Sequence, residues 1–249
     1  MDIKDLKAVN ENLSSMNVFE VLNWAYSTFK HDDIKLSTSF GAEGMVLIDL
    51  LCQLFKNPRI FTIDTGRNFQ ETYDVWNKVL EKYKINIETY YPDQNDLSKL
   101  VTEKGPNLFY KNIEDRKECC NVRKVKPLKK ALAGVDLWIT GLRKEQNTNR
   151  ENMEILSFNE THQVYKICPI LNWSEINVWE YIRNNGVVYN KLHDKGFPTV
   201  GCMPCSRPVR PIEDKRAGRW WWEEGNKECG LHFVNGIAKP LKQTTTWNI

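Results

Sequence analysis

The sequence predicts an α/β protein: a mostly parallel sheet covered by helices on both faces, followed by a mobile C-terminal tail. Three observations predict it. Short β-branched and aromatic runs alternate with helical stripes as far as Thr140, and strands separated by helices need crossover connections that make a sheet parallel. The 249 residues are 41% hydrophobic and 27% charged, a globular composition with length enough for a sizeable core. From about residue 206 the periodicity is lost, which reads as a tail or lid and divides the chain into 1–205 and 206–249.

The elements follow in order. Residues 34–40 (IKLSTSF) read as a strand, and 43–55 as a helix apolar nearly all round, hence buried. Residues 59–64 (RIFTID) form a second strand. Phe69, Tyr73, Trp76, Leu80 and Tyr83 then recur at helical spacing, one stripe of an amphipathic helix. Residues 85–91 form a third strand, and Asp93 caps a helix over 94–103. A basic helix over 118–132 leads to a fourth strand at 135–140. Two short strands at 154–158 and 163–167 precede a helix capped by Ser174. Three residues on stands Asn177, neither acid nor glutamine, so an incomplete capping box is expected there.

A formal charge of +3 is too mild for a surface devoted to nucleic acid or membrane. No run approaches the roughly 18 apolar residues of a membrane span, and MDIKDLKAVNENL has no apolar signal core. A soluble, cytoplasmic protein is expected. Seven cysteines, an odd number, then point to reduced thiols, metal ligands or catalysis.

Three loops follow strand ends, the edge at which such sheets bind ligands. Ser37 to Gly44 opens a helix with small, hydroxyl and glycine residues, an anion cradle or a plain turn, and matches neither phosphate-loop fingerprint. Asp64-Thr65-Gly66-Arg67 and Gly141-Leu142-Arg143-Lys144-Glu145 end the next strands. Together they read as a nucleotide site.

Cys119-Cys120 and Cys202-Met203-Pro204-Cys205 make a second group. Each pair alone has a plainer reading, ordinary thiols or a redox dithiol. Together they suggest a four-cysteine metal centre, with iron–sulfur ahead of zinc because adjacent cysteines suit a small tetrahedral ion badly. The surroundings are cationic. Residues 116–130 set seven basic side chains against Glu118 alone, and 206–219 set five against two acids. Cys229, between Lys227 and His232, is either an activated thiol or an inert surface cysteine. Cys52 and Cys168 lie in apolar runs and read as core.

The segments SFGAEG (39–44), IDTGR (63–67), ECCNVRKVKPL (118–128), GLRKEQ (141–146), KGFPTVGCMPCSRPV (195–209), GRWWWE (218–223) and KECGLH (227–232) resemble the assimilatory sulfonucleotide reductases, the adenylyl-sulfate and phosphoadenylyl-sulfate reductases. The resemblance implies an adenine-nucleotide α-hydrolase-like fold, related to the PP-loop ATP pyrophosphatases. Those carry SGGxDS where this chain has Ser37-Thr38-Ser39-Phe40-Gly41, a departure that speaks against splitting ATP. It implies that Cys229 attacks the sulfur of adenylyl sulfate, expels AMP and becomes an S-sulfocysteine, from which reduced thioredoxin releases sulfite. It assigns Lys124, Arg216 and Arg219 to charge stabilisation, Arg143 to the phosphosulfate and His232 to assistance. Ser39, Phe40, Gly41, Glu43, Asp64, Thr65 and Arg67 fall to substrate binding, and Cys119, Cys120, Cys202 and Cys205 to a [4Fe–4S] cluster. Residues 1–205 would then bind the nucleotide and cluster, and 206–249 carry the nucleophile, in a homo-oligomer. The four cysteines favour adenylyl sulfate over its 3′-phosphorylated form, although some cluster-bearing members accept both. Glu43 and Asp64 against Arg67 at the ribose argue the same way. Two other classes remain open: an ATP-dependent enzyme on the same fold, and a zinc-stabilised binding module.

Overall fold

The computed structural model describes residues 5–224, apart from the side chain of Thr148. Two helices come first, α1 (Leu6–Ser14) and α2 (Val18–Thr28). The sequence reading passes over both, although the start of α2 is written in Asn17 and Glu20. The Asn17 side chain accepts from the N–H groups of Phe19 and Glu20, while Glu20 accepts from the Asn17 N–H at 2.7 Å. Asn10 ties α1 to the sheet by donating to the Leu156 carbonyl at 2.8 Å.

The alternating pattern then appears as expected: β1 (Ile34–Thr38), α3 (Ala42–Leu54), β2 (Ile60–Ile63), α4 (Gln70–Tyr83), β3 (Ile87–Tyr90) and α5 (Gln94–Lys104). After α6 (Ile113–Cys120) and α7 (Lys126–Ala131) come β4 (Leu137–Ile139), β5 (Leu156–Asn159), β6 (Val164–Ile167) and α8 (Glu175–Asn184). The sheet order is β3-β2-β1-β4-β6-β5, with every pairing parallel except β5 with β6. Leu36 sits between Ile60 and Ile139 in register. Successive residues point to opposite faces. Ile60, Leu137 and Ile139 enter the larger core with α3 and α8, while Phe61, Trp138 and Val164 enter a smaller one with α7.

Three local features differ from the sequence reading. The basic helix over 118–132 is two helices joined by a wider π turn, Asn121–Val125. Pro127 lacks an N–H and its ring crowds the carbonyl four residues back, and the widened turn accommodates both. In α4 the aromatic stripe flanks the buried line, which is Thr72, Val75 and Val79; the large rings straddle the edge of the core. At α8 the capping box is complete, because the Asn177 side-chain oxygen is long enough to accept from the Ser174 N–H at 2.9 Å.

Residues 206–224, aperiodic in sequence, are packed against the body. Ser206 and Arg219 form an antiparallel bridge, and Trp220 is buried beside Cys119, Cys202 and Cys205. Arg116 clamps this segment with a bidentate pair to Glu223, at 2.8 and 2.7 Å, and lies over the Trp220 ring. Among the described residues no helix is long and apolar enough to cross a membrane.

Candidate active site

The strand order reverses about β1, and a cleft of about 270 Å³ opens there over the carboxyl ends of β1, β2 and β4. One wall is the start of α3. Its cap, Gly41, supplies no side-chain hydrogen bond, so the first N–H groups and the positive end of the helix dipole are left for a ligand. Two glycines make the close packing possible. A Cβ on Gly44 would sit 2.7 Å from Thr38 Oγ1, and one on Gly141 would sit 2.8 Å from Glu43 Cβ.

The side chains expected at the substrate divide into two groups. Ser39, Gly41, Glu43 and Thr65 line the cleft with Lys124, Arg216 and Arg219. The other four face elsewhere. Phe40 takes a left-handed backbone (φ 58°), which turns its ring into the core to stack on Trp76 at 5.4 Å. Asp64 closes its own turn, accepting from the Gly66 N–H (2.8 Å), Asn68 (3.1 Å) and the Tyr73 hydroxyl (3.0 Å). Arg67 reaches away, to the Pro106 carbonyl and across the Phe109 ring. Arg143 is buried against acids, Nε donating to Glu43 at 2.9 Å and Nη1 to Glu145 at 2.9 Å. Cys229 and His232 lie outside the described residues.

The cleft also takes in residues that the sequence reading does not single out. Arg150, whose Nη1 donates to Gln146 Oε1 at 2.5 Å, contributes a cation. Trp138 donates to Ser37 Oγ at 2.7 Å, and His193 joins from the loop after α8. Arg150 lies in the polar run that begins at GLRKEQ, and that run was the available signal.

Beside the cleft, Cys119, Cys120, Cys202 and Cys205 line one small cavity, brought together from the end of α6 and a single turn at Met203–Cys205. None of the six described cysteines is in a disulfide. Arg67, Arg116, Arg123, Lys124 and Arg219 surround the same cavity. Arg123 Nε and Trp220 Nε1 are buried there without a partner among the described residues. Burial would push the Cys202 thiol up, but Lys124, a 3.2 Å contact with Thr65 Oγ1, Arg219 and Arg123 outweigh it and hold it below its ordinary value. Burial, then the charge of Cys202, pushes Cys205 up to about 12. Among the described residues no group of three or more His, Cys, Asp or Glu is arranged to hold a single metal ion.

Lys124, Cys202 and Arg219 line both spaces, so they form the partition between cleft and thiol cavity. Arg219 is fixed tightly: Nη1 donates to Ser206 Oγ at 2.6 Å, and the guanidinium lies over the Trp220 ring. It occupies the space that a side chain on residue 201 would need, which is why a glycine stands there.

Comparison with known proteins agrees with this architecture. The family described as phosphoadenosine phosphosulfate reductase domain matches residues 33–208. An adenosine 5′-phosphosulfate reductase of Burkholderia cepacia is 42% identical over 212 residues, 85% of each chain. One from Staphylococcus haemolyticus is 40% identical over 231 residues, covering 92% of this chain and 93% of its own. Among solved structures, the phosphoadenylyl-sulfate reductase of Candida auris, in a phosphate complex, superposes with a TM-score of 0.72 at 28% identity, over 84% of this chain and 98% of that one. The FMN adenylyltransferase of Candida glabrata, at 14% identity and a TM-score of 0.57 over 84% of this chain and 68% of its own, shares the fold.

Proposed function

Because the chain belongs to the phosphoadenosine phosphosulfate reductase family, we propose that it reduces adenylyl sulfate to sulfite and AMP, with reduced thioredoxin as electron donor. The observation that carries this reading is the cleft itself: a helix N-terminus and the cations Lys124, Arg150, Arg216 and Arg219 gather at the ligand-binding edge of a nucleotide-binding sheet. The relatives named adenosine 5′-phosphosulfate reductase favour the nucleotide without the 3′-phosphate. The charge argument at the ribose loses force, since Asp64 and Arg67 turn away from the cleft.

The chemistry balances in three displacements. The Cys229 thiolate attacks the substrate sulfur, an S–S bond forms as the S–O bond to AMP breaks, and AMP leaves carrying the electron pair. A thioredoxin thiolate then attacks Cys229 Sγ and sulfite departs with the pair from the S–S bond. The second thioredoxin thiol resolves the mixed disulfide and regenerates the Cys229 thiolate. Lys124, Arg216 and Arg219 stabilise the sulfonyl oxygens and the departing phosphate, and His232 assists at Cys229.

The four thiols fit a [4Fe–4S] cluster on three counts. They line one cavity, five cations surround it, and buried donors on Arg123 and Trp220 await an acceptor. When bound, the cluster supplies anionic charge and a cross-link between the two halves of the chain, while the electrons come from thioredoxin. The reading includes a cytoplasmic homo-oligomer, supported for the compartment by the six described cysteines, none of which is in a disulfide. A zinc-stabilised module is disfavoured by the adjacent cysteines.

The decisive experiment is anaerobic incubation with adenylyl sulfate, with and without thioredoxin, measuring sulfite and AMP. AMP in one equivalent without thioredoxin, and sulfite only with it, is expected; formation of neither AMP nor sulfite would refute the reading. For the cluster, about four irons per chain are expected, falling steeply in Cys202→Ser. Unchanged iron in that variant would refute the ligand set.

A further inference from the structure

His193 stands on the wall shared by the main cleft and a smaller side cavity that also takes in Glu43, Pro198, Thr199 and Arg216. Its ring is held in place. It packs edge-to-face on Trp179, with centroids 5.2 Å apart at 79°. The preceding turn is pinned by fully buried Asn190, which accepts from the Leu192 N–H at 3.0 Å and donates to Thr72, itself a cleft residue.

The ring's tautomer follows from its neighbours. Nδ1 lies 2.8 Å from the Phe197 carbonyl oxygen, which can only accept, so Nδ1 carries the hydrogen. Burial pushes His193 below its ordinary value, against the pull of Glu43, the Phe197 carbonyl, Asp194 and Glu175. A neutral ring protonated at Nδ1 has a bare lone pair at Nε2. That atom is shut off from water and has no partner among the described residues. A buried acceptor left unpaired costs free energy that a matching donor recovers.

We propose that His193 Nε2 accepts a hydrogen bond from a donor on the bound nucleotide, a ribose hydroxyl or the adenine amino group, and so helps read the nucleoside half of the substrate. Glu43 is not available as the donor. As a carboxylate it only accepts, and its Oε1 already takes bonds from Arg143 and Gln146.

This inference rests on the nucleotide reading above, and AMP separates the two. The full-length protein is titrated anaerobically with AMP. Failure of the wild type to bind would refute the nucleotide reading itself. Two variants test His193. His193→Asn keeps an amide to bond the Phe197 carbonyl but has nothing at the Nε2 position; His193→Gln carries an amide oxygen out to that position. AMP affinity is expected to fall about three- to tenfold in His193→Asn and to stay within about twofold of wild type in His193→Gln. Analogues lacking the 2′-hydroxyl, the 3′-hydroxyl or the 6-amino group then identify the donor. One of them is expected to bind the wild type and His193→Asn alike. Equal AMP affinity in His193→Asn and wild type would overturn the proposal. So would weaker binding in His193→Gln than in His193→Asn, or an equal loss in His193→Asn with all three analogues.

Discussion

Gly201→Ala should inactivate the protein without unfolding it. The Cβ of an alanine at 201 would lie 1.7 Å from Arg219 Nη1 and 2.4 Å from Cζ, less than half and about two-thirds of a normal contact of roughly 3.5 Å. The obstructing group is the far end of a flexible side chain, so the guanidinium moves and the backbone stays. Moving it forfeits the bond to Ser206 and the stacking on Trp220, and takes a cation off the cleft wall. The stability loss is about 1.5–3 kcal/mol for the charge-assisted bond, partly recovered as the freed guanidinium finds water. The activity loss is larger. Removing one preorganised group that faces developing negative charge costs about 10²–10³ in kcat, or about 2.7–4 kcal/mol. The assay is anaerobic steady-state sulfite release, alongside a thermal melt of Gly201→Ala, Arg219→Ala and the double variant. Because both substitutions act through one guanidinium, the double variant should be no slower than Arg219→Ala. Full activity in Gly201→Ala, or losses that simply add in the double variant, would refute the reasoning.

Three further outcomes are expected. Cys229→Ser should retain iron and AMP binding but lose sulfite release, and mass spectrometry of the wild type with substrate alone should find one added sulfonate on Cys229. Glu223→Ala strands buried Arg116 without its carboxylate and should cost about 3–5 kcal/mol in chemical denaturation. At Glu88, burial would raise the carboxyl, but Lys35, Arg59 and Tyr90 outweigh it and hold it below the usual carboxylate range. A depressed folded value means that the stabilisation is present above the unfolded value of about 4.3 and disappears as pH falls through the lower folded one. Denaturation midpoints at pH 7 and pH 3 should therefore differ less in Glu88→Gln than in wild type.

Periodicity made the alternation of strands and helices legible, because a buried α3 has to be apolar nearly all round and the strands between the helices are short runs rich in β-branched and aromatic residues. It could not say which way a loop side chain turns. Asp64, Arg67 and Arg143 stand in the loops that the sequence marks, yet each is drawn off by a nearer partner: the Tyr73 hydroxyl, the Phe109 ring and Glu43. Phe40 was unreadable for a related reason, since its direction depends on a left-handed backbone that a phenylalanine seldom adopts. The packing of 206–224 has no period because it is made by single anchors, Trp220 beneath Arg116 and Arg219 above all. The Asn17 box was a missed signal and not an absent one.

The partition of Lys124, Cys202 and Arg219 is one side chain thick, and that constrains how such a protein can change over time. A lineage discarding the four thiols cannot treat them as a detachable staple, because Cys202 is also part of the cleft wall, beside Lys124 and Arg219, which line both spaces. Five positive groups, Arg67, Arg116, Arg123, Lys124 and Arg219, line the same cavity and would remain there when a thiol is replaced. Dispensing with the thiols therefore alters the cleft wall at Cys202 in the same step, whereas Cys119, Cys120 and Cys205 reach only the inner cavity.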